Sequence, residues 1–274
     1  MFQYAAGRAL SLRLNTELKL DITGFEDYTL HGGYGLNNFA LQPEYAMPEE
    51  IKLLRGSNGI RSRIFRRIGL SSPTYIKEKN LAFNPAFYTL NNNSYIDGYW
   101  QSEKYFKNYA NIIRQDFMYT MPLSDKNQPI KKLIMSCNSV SVHIRRGDYI
   151  ANSQANKFHG VCSLDYYKKA SQLIAQKLDT PVFFIFSDDI SWCKSNLNLD
   201  FPTFFIETAT PSSPYEDMHL MSLCSHHIIA NSTFSWWGAW LNPNTNKLVI
   251  APKQWFANPK IKNPDILPDN WLSI

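Results

Sequence analysis

From about residue 134 to the C-terminus, the sequence alternates apolar segments of strand length with amphipathic segments of helix length. Pro181–Phe186 is apolar at every position, which is typical of a strand in a parallel sheet covered on both faces. The predicted strands are Val140–Ile144, Pro181–Phe186, Thr203–Ile206, His227–Ala230 and Leu248–Ala251, and the predicted helices are Ser163–Leu178, Ile190–Asn196, Ser213–Cys224 and Phe234–Leu241. This alternation favours a doubly wound, Rossmann-like α/β unit.

The first half of the chain is less regular. Phe2–Leu14 and Ser102–Phe117 have the apolar spacing of helices, Thr16–Asp21 is predicted to be a strand, and Pro122–Pro129 is typical of a linker. We predict two α/β halves facing a cleft, with an N-terminal domain over residues 1–130 and a C-terminal domain over 131–274. Because the chain opens on a helix, either the N-terminal half begins unconventionally or its first strand and turn are absent from this sequence.

Composition narrows the class of protein. Apolar residues at 44% and charged residues at 19% fit a soluble globular chain, and a net charge of +5 is too small to indicate nucleic-acid binding. No apolar run reaches the roughly 18–20 residues of a membrane span, and no signal peptide is visible. The four cysteines form no Cys-x-x-Cys pair, so we expect reduced thiols in a cytoplasmic protein.

A basic cluster over residues 52–79 has two interpretations. It contains eight Lys and Arg residues, opposed within the 52–79 window only by Glu78. It would suit peripheral contact with the inner face of a membrane, or a lipid-linked acceptor. A solvated face is the other interpretation.

The end of the first predicted strand of the C-terminal half carries a dense charged cluster, His143-Ile144-Arg145-Arg146-Gly147-Asp148-Tyr149. Ligands of open α/β sheets bind at the carboxyl ends of strands, and paired arginines suit a diphosphate. The alternative is a strand end held by ion pairs. In an extended backbone His143 and Arg145 share one face and Arg146 points to the other. We therefore assign Arg145 to the phosphate and Arg146 to an internal carboxylate.

Other strand and helix ends carry polar residues as well. Asp188 and Asp189 close the second predicted strand, and Ser232 and Thr233 open a helix, where free N–H groups favour phosphate. Asp217 lies in a first helical turn, one residue beyond a capping box formed by Ser213 and Glu216. Each has an ordinary explanation as a cap or dipole partner. Together they favour a nucleotide-diphosphate site at one edge of the sheet.

Several motifs are absent from the sequence. There is no Asp-x-Asp metal clamp, no phosphate-binding Gly-x-x-x-x-Gly-Lys loop and no zinc-ligand spacing. His226 and His227 are adjacent at a strand start, where packing is the favoured interpretation. We expect no metal and no cofactor.

Three segments resemble the motifs of the α-1,2-fucosyltransferases, glycosyltransferase family 11: His143–Tyr149, Phe186–Asp189 and Asn231–Asn242. Gly98–Phe106 is similar to a further segment of that family, and Met1–Leu10 to the helix after its N-terminal Gly-Gly-Leu-Gly-Asn-Gln turn. That turn and the strand before it are expected to be missing here. The resemblance implies a GT-B-like fold and inverting, metal-independent transfer of fucose from GDP-β-L-fucose to O2 of a terminal β-galactoside.

The resemblance also implies residue roles. Arg145 would hold the β-phosphate and act in catalysis, while Asp148 would orient the arginines. His143 and Asp217 would recognise guanine, Ser232 or Thr233 would donate to the diphosphate, and Asp188 would belong to the donor site. The general base stays open among Asp148, Asp188 and Glu103. Two alternatives to an active transferase remain. Without this turn the chain could be a catalytically impaired remnant that binds a GDP-sugar or a glycan. The third hypothesis is a structural α/β scaffold.

Overall fold

The structure is a computed structural model that describes residues 1–25, 33–56, 73–147, 160–207 and 214–274. These residues form two compact units. The N-terminal unit comprises Met1–Thr120 with Asn263–Pro268, and the C-terminal unit comprises Met121–Lys262 with Asp269–Ile274. Among the described residues, no helix is both long enough and apolar enough to cross a membrane. All four cysteines are free thiols.

The N-terminal unit contains two pairs of short parallel strands among its described residues, Lys19–Leu20 with Glu44–Tyr45 and Tyr75–Lys77 with Tyr95–Asp97. Aromatic side chains supply much of its core, where the rings of Phe87, Trp100 and Tyr105 pack with centroids 4.8–5.3 Å apart. Its elements are α1 (Phe2–Leu14), β1 (Lys19–Leu20), β2 (Glu44–Tyr45), α2 (Pro48–Arg55), β3 (Tyr75–Lys77), β4 (Tyr95–Asp97) and α3 (Ala110–Asp116).

The C-terminal unit is built on a six-stranded parallel sheet. Its elements are α4 (Gln128–Met135), β5 (Ser139–Ile144), α5 (Leu164–Ala175), β6 (Val182–Ser187), α6 (Ile190–Asn196), β7 (Thr203–Phe205), α7 (Pro214–Leu223), β8 (His226–Ile228), α8 (Thr233–Leu241), β9 (Val249–Ala251) and β10 (Leu272–Ser273). The strand order is β10-β9-β8-β5-β6-β7. The predicted doubly wound α/β class is therefore confirmed, with β10 as a strand that the sequence pattern did not reveal.

Both faces of this sheet are covered, as the apolar strands required. On one face Val140, Val142 and Ile144 of β5 pack into a cluster with residues of α5 and α6. On the other face, α8 contributes a buried run of tryptophans, and it packs against α7. The alternation of side chains along β5 thus separates two helical layers.

Two expectations for the middle of the chain were wrong. The predicted helix Ser102–Phe117 is divided into 3₁₀ turns at Glu103–Tyr105 and Lys107–Tyr109, followed by α3. The break occurs at Phe106, whose φ of −140° is not helical. The predicted linker Pro122–Pro129 contains the start of α4 and, as described below, hydrogen-bonds to α7.

Gly238 permits the close packing of α8 on α7. A Cβ atom at this position would lie 3.1 Å from Cβ of Met221. We expect Gly238→Val to destabilise the protein by about 1–3 kcal/mol, because the added atoms must displace a packed helix. Gly35→Val is the matched control, since no atom lies within 4 Å of its would-be Cβ. Urea unfolding would measure both variants, and equal losses would contradict the packing role of Gly238.

Candidate active site

The order of the strands places a crevice at a defined point of the C-terminal unit. The chain starts in the middle of the sheet at β5, moves outward through β6 and β7, and then returns to the other side of β5 with β8. Ligands of doubly wound folds bind outside the carboxyl ends of the strands where the order reverses. Here that position lies between the residues after β5 and those after β8. Arg145 follows β5, and Ser232 and Thr233 follow β8.

Arg145 is held by an aspartate on the neighbouring strand. Ile144 of β5 is in register with Ser187 of β6, so the next residues of the two strands, Arg145 and Asp188, also meet. The Nε atom of Arg145 lies 3.3 Å from Oδ2 of Asp188, and both side chains are about a quarter exposed or less. Asp188 therefore fixes the arginine at the strand end.

Arg146 is held on the other face of the sheet. Its guanidinium carbon lies 3.9 Å from the ring centroid of Trp192 in α6, and its Nε atom lies 3.5 Å from Oδ2 of Asp189. Asp189 also caps α6 by accepting a hydrogen bond from the Trp192 N–H. Stacking and ion pairing together direct Arg146 into the protein.

Asp188 also stabilises the turn after β5. Its Oδ1 atom accepts a hydrogen bond of 2.9 Å from the backbone N–H of Arg146. A Cβ atom at Gly147 would approach the Asp188 carboxyl group to 3.3 Å. Since Gly147 is not among the residues with positive φ, the glycine provides space for this carboxylate rather than an unusual backbone conformation.

His143 is buried beside the start of α8. It is 3% exposed, and its ring centroid lies 5.5 Å from that of Phe234. Burial, with the charge of Arg145 as a smaller cause, lowers the pKa of His143 to about 3, so the ring is neutral at physiological pH. Among the described residues, Nδ1 of His143 has no hydrogen-bond partner. Because an unsatisfied buried polar atom is costly, this atom marks a position suited to a polar ligand group.

The N-terminus of α8 forms the other side of the crevice. Ser232 is the N-cap residue, and its Oγ atom accepts a hydrogen bond from the Phe234 N–H. Asn231 fixes the preceding turn by donating from Nδ2 to the carbonyl oxygens of Gly160 and Trp255. Thr233 begins the helix and is partly exposed. The positive end of the helix dipole therefore faces the carboxyl edge of the sheet.

The remaining predicted site residues are placed as follows. Asp217 lies in the first turn of α7 and is 8% exposed. Asp148 lies outside the described residues. Glu103 lies in a 3₁₀ turn of the N-terminal unit. Of the basic cluster over 52–79, the stretch 57–72 lies outside the described residues.

Glu216 has a different use from the predicted capping box. Its Oε2 atom accepts hydrogen bonds from Nδ2 of Asn127 at 2.6 Å and from the N–H and hydroxyl of Ser124. Burial alone would raise the pKa of Glu216, but these hydrogen bonds outweigh it and lower the pKa. Glu216 thus connects α7 to the segment before α4, while Ser213, the other half of the predicted box, lies outside the described residues.

The sequence did not reveal a buried polar network that joins β5, β8 and the end of α8. Asn242 donates from Nδ2 to Nε2 of His227, and Nδ1 of His227 lies 2.8 Å from Oγ of Ser141. The first bond makes Nε2 an acceptor, so Nδ1 carries the proton and donates to Ser141. His227 is therefore a packed, neutral core residue. In the parts of the chain that the structure describes, no group of three or more His, Cys, Asp or Glu residues is arranged to hold a metal ion.

Trp192 was the other feature that the sequence did not reveal. It provides the aromatic surface under Arg146. Its position, three residues after the helix-capping Asp189, is visible in the sequence but has no distinguishing pattern there.

A six-stranded doubly wound sheet, with an arginine after β5 and a helix N-terminus after the adjacent strand β8, defines an α/β protein whose carboxyl edge suits an anion.

Comparison with known proteins identifies the family. The model of glycosyl transferase family 11 matches residues 70–274. The α-1,2-colitosyltransferase of Escherichia coli is 36% identical over 280 residues, which cover 100% of this chain and 94% of that protein. The O-antigen biosynthesis glycosyltransferase WbnK of Escherichia coli is 34% identical over 297 residues, covering 100% of this chain and 96% of WbnK. The chain therefore belongs to glycosyl transferase family 11, as its motifs predicted.

A shorter similarity extends to mammalian relatives. Galactoside α-(1,2)-fucosyltransferase 2 of Rattus norvegicus is 34% identical over 104 residues, which cover 37% of this chain and 29% of that protein. The protein is thus a glycosyltransferase related to α-1,2-fucosyltransferases and colitosyltransferases.

Proposed function

We propose that the protein transfers L-fucose from GDP-β-L-fucose to O2 of a terminal β-galactoside, with inversion at the anomeric carbon. The observation that carries this proposal is that Arg145 follows β5 and the α8 N-terminus follows the adjacent parallel strand β8, so that both lie at the carboxyl edge of the sheet at its switch point. A guanidinium group and a helix N-terminus are both complementary to a diphosphate. The name of the rat relative, a galactoside α-(1,2)-fucosyltransferase, supports the sugar and the acceptor.

The reaction would be a single displacement. The acceptor O2 forms a bond to the anomeric carbon while the bond from that carbon to the diphosphate oxygen breaks. The O2 hydroxyl loses its proton to a carboxylate base, for which Asp148, Asp188 and Glu103 are the candidates. The electron pair of the broken bond stays on GDP, and Arg145 with the start of α8 stabilises this growing negative charge. Preorganised charge of this kind usually contributes more to rate acceleration than any other single effect. We propose that it takes the place of a metal ion.

The donor would be recognised by buried groups. Neutral His143 and the Asp217 carboxylate would bind the guanine, and Ser232 or Thr233 would donate to the diphosphate. The unpartnered Nδ1 atom of His143 supports this role, because a base edge would satisfy it. Asp188 would act by holding Arg145 in position, since its carboxylate already contacts Arg145 and the Arg146 N–H.

Colitosyl transfer is a second candidate for the same site. The relative named α-1,2-colitosyltransferase is similar along the whole chain. Colitose is fucose without the hydroxyl group at C3, so both donors would place the same diphosphate on Arg145. Only contacts to that one hydroxyl would distinguish the donors.

Product analysis tests both candidates. Purified protein would be incubated with GDP-fucose or GDP-colitose and with lactose or lacto-N-biose, with and without EDTA, and products identified by mass spectrometry and NMR. We expect an α-1,2-linked product whose yield EDTA does not change. Donor binding without product would favour a non-catalytic remnant, and no thermal shift with GDP would favour a structural scaffold. Loss of product in EDTA would contradict the metal-independent step.

A further inference from the structure

A cavity of about 500 Å³ lies within the N-terminal unit, and none of the site residues above lines it. It opens at the carboxyl ends of β3 and β4, which are parallel and place Lys77 opposite Asp97. The residues directly after these strands, Glu78 and Gly98, form part of its wall. Its volume lies in the range of small-molecule sites.

The wall of this cavity holds a fixed carboxylate. Oε2 of Glu78 accepts a hydrogen bond of 2.7 Å from the Tyr99 N–H, and Oε1 accepts one of 3.1 Å from the Trp100 N–H. Trp100 makes this possible by adopting a left-handed φ of 54°, a conformation that costs a non-glycine residue about 1–3 kcal/mol. Burial raises the pKa of Glu78, and the two N–H bonds oppose that shift.

Gly98 is required by the same arrangement. A Cβ atom at this position would lie 2.4 Å from Cβ of Glu78 and 2.8 Å from its Oε2 atom. The Gly98-Tyr99-Trp100 sequence therefore allows the Glu78 carboxylate to bind the backbone N–H groups of Tyr99 and Trp100. It begins the Gly98–Phe106 segment. The proposed donor site makes no use of this segment.

The other groups around the cavity suit a sugar. Tyr99 presents its ring to solvent, with 65% of the residue exposed. Gln3 of α1 is held beside it by a hydrogen bond from its Nε2 to the Gly98 carbonyl oxygen. An aromatic face packs against the C–H face of a pyranose, while carboxylate and amide groups bind its hydroxyls.

We infer that this cavity binds the galactoside acceptor, with Glu78 accepting hydrogen bonds from its hydroxyl groups and Tyr99 packing against its ring. The inference rests on the proposed glycosyl transfer. It makes Glu78 and Tyr99 acceptor-binding residues that determine which sugar is accepted.

Kinetics with separate donor and acceptor titrations test this assignment. We expect Glu78→Gln to raise KM for lactose about tenfold or more, as loss of a charged hydrogen-bond acceptor does. We expect Tyr99→Ala to raise it about twofold to tenfold. KM for the donor should stay within twofold in both variants. Glu17→Gln and Tyr45→Ala are the matched controls, because both residues are exposed in the same unit and do not line the cavity.

Saturation-transfer NMR with lactose separates the inference from the proposed function, because it requires no turnover. If the wild type forms no product but transfers saturation to lactose, and Tyr99→Ala abolishes the transfer, the function fails and the acceptor site stands. If product forms but lactose KM is unchanged in Tyr99→Ala, the acceptor site is wrong. Should Glu78→Gln fail to fold, Tyr99→Ala decides alone, since its side chain is exposed and its N–H bond to Glu78 is kept.

Discussion

Arg145→Ala is expected to lower kcat/KM for sugar transfer by about 100-fold or more, the usual loss when a preorganised group opposite developing charge is removed. Arg145 lies on the His143 face of β5, at the point where the strand order reverses. Without Arg145, the departing diphosphate would keep the α8 N-terminus but lose the guanidinium group. The fold should survive, because Arg145 is partly exposed.

Two further variants make this prediction specific. Arg145→Lys keeps the charge but loses the planar fork, so we expect an intermediate loss. Arg146→Ala removes the stacking on Trp192 and the ion pair with Asp189. It should lower the free energy of unfolding by about 1–2 kcal/mol while changing donor KM less than Arg145→Ala does. A larger kinetic loss in Arg146→Ala at equal stability would reverse the assignment of the two arginines.

Between pH 7 and pH 5 the buried histidines His143 and His227 are expected to lower the free energy of unfolding by about 4 kcal/mol, roughly 2 kcal/mol for each. Burial lowers the pKa of His143 to about 3 and that of His227 well below its ordinary value. The unfolded chain takes up these protons as the pH falls through about 6.5, whereas the folded protein does not. The contribution of these neutral histidines to the free energy of unfolding is therefore complete above about pH 6.5 and decreases as the pH falls below that value.

Other groups change the total but not the sign. His219, whose pKa burial lowers to about 4, adds to the loss. Protonation of Glu78, whose pKa burial raises, stabilises the folded protein and offsets part of the loss. Urea unfolding at several pH values would measure the slope. The variant His227→Gln should reduce it by one proton, or about 1.4 kcal/mol per pH unit. NMR titration of the folded protein gives an independent check, and a His143 ring that titrates near pH 6.5 would contradict the burial described above.

The C-terminal fold could be predicted from the sequence because its signals are local. The segment Pro181–Phe186 is apolar throughout, and its neighbouring strands alternate with capped helices such as α5, whose N-cap Ser163 is observed. The order of the strands was not predictable from such signals. It depends on long-range pairing, and only the order brings Arg145 and Ser232 to the same crevice.

The middle of the chain was harder because its contacts are distant in sequence. The predicted helix from Ser102 fails where Tyr88 donates a hydrogen bond to the Lys104 carbonyl oxygen and Lys104 pairs with Asp265, 161 residues away. The Glu78 site was missed for the same reason. Its carboxylate is bound by N–H groups of residues 21 and 22 positions later, and no pattern within β3 indicates that contact.

Calorimetric titration with GDP tests most directly whether the carboxyl edge between β5 and β8 is a nucleotide-diphosphate site. We expect the wild-type protein to bind one GDP per chain and Arg145→Ala to bind it about tenfold or more weakly, as the loss of a charge-assisted phosphate contact predicts. Arg146→Ala should keep an affinity close to that of the wild type. Unchanged GDP affinity in Arg145→Ala, or no GDP binding by the folded wild-type protein, would contradict the site.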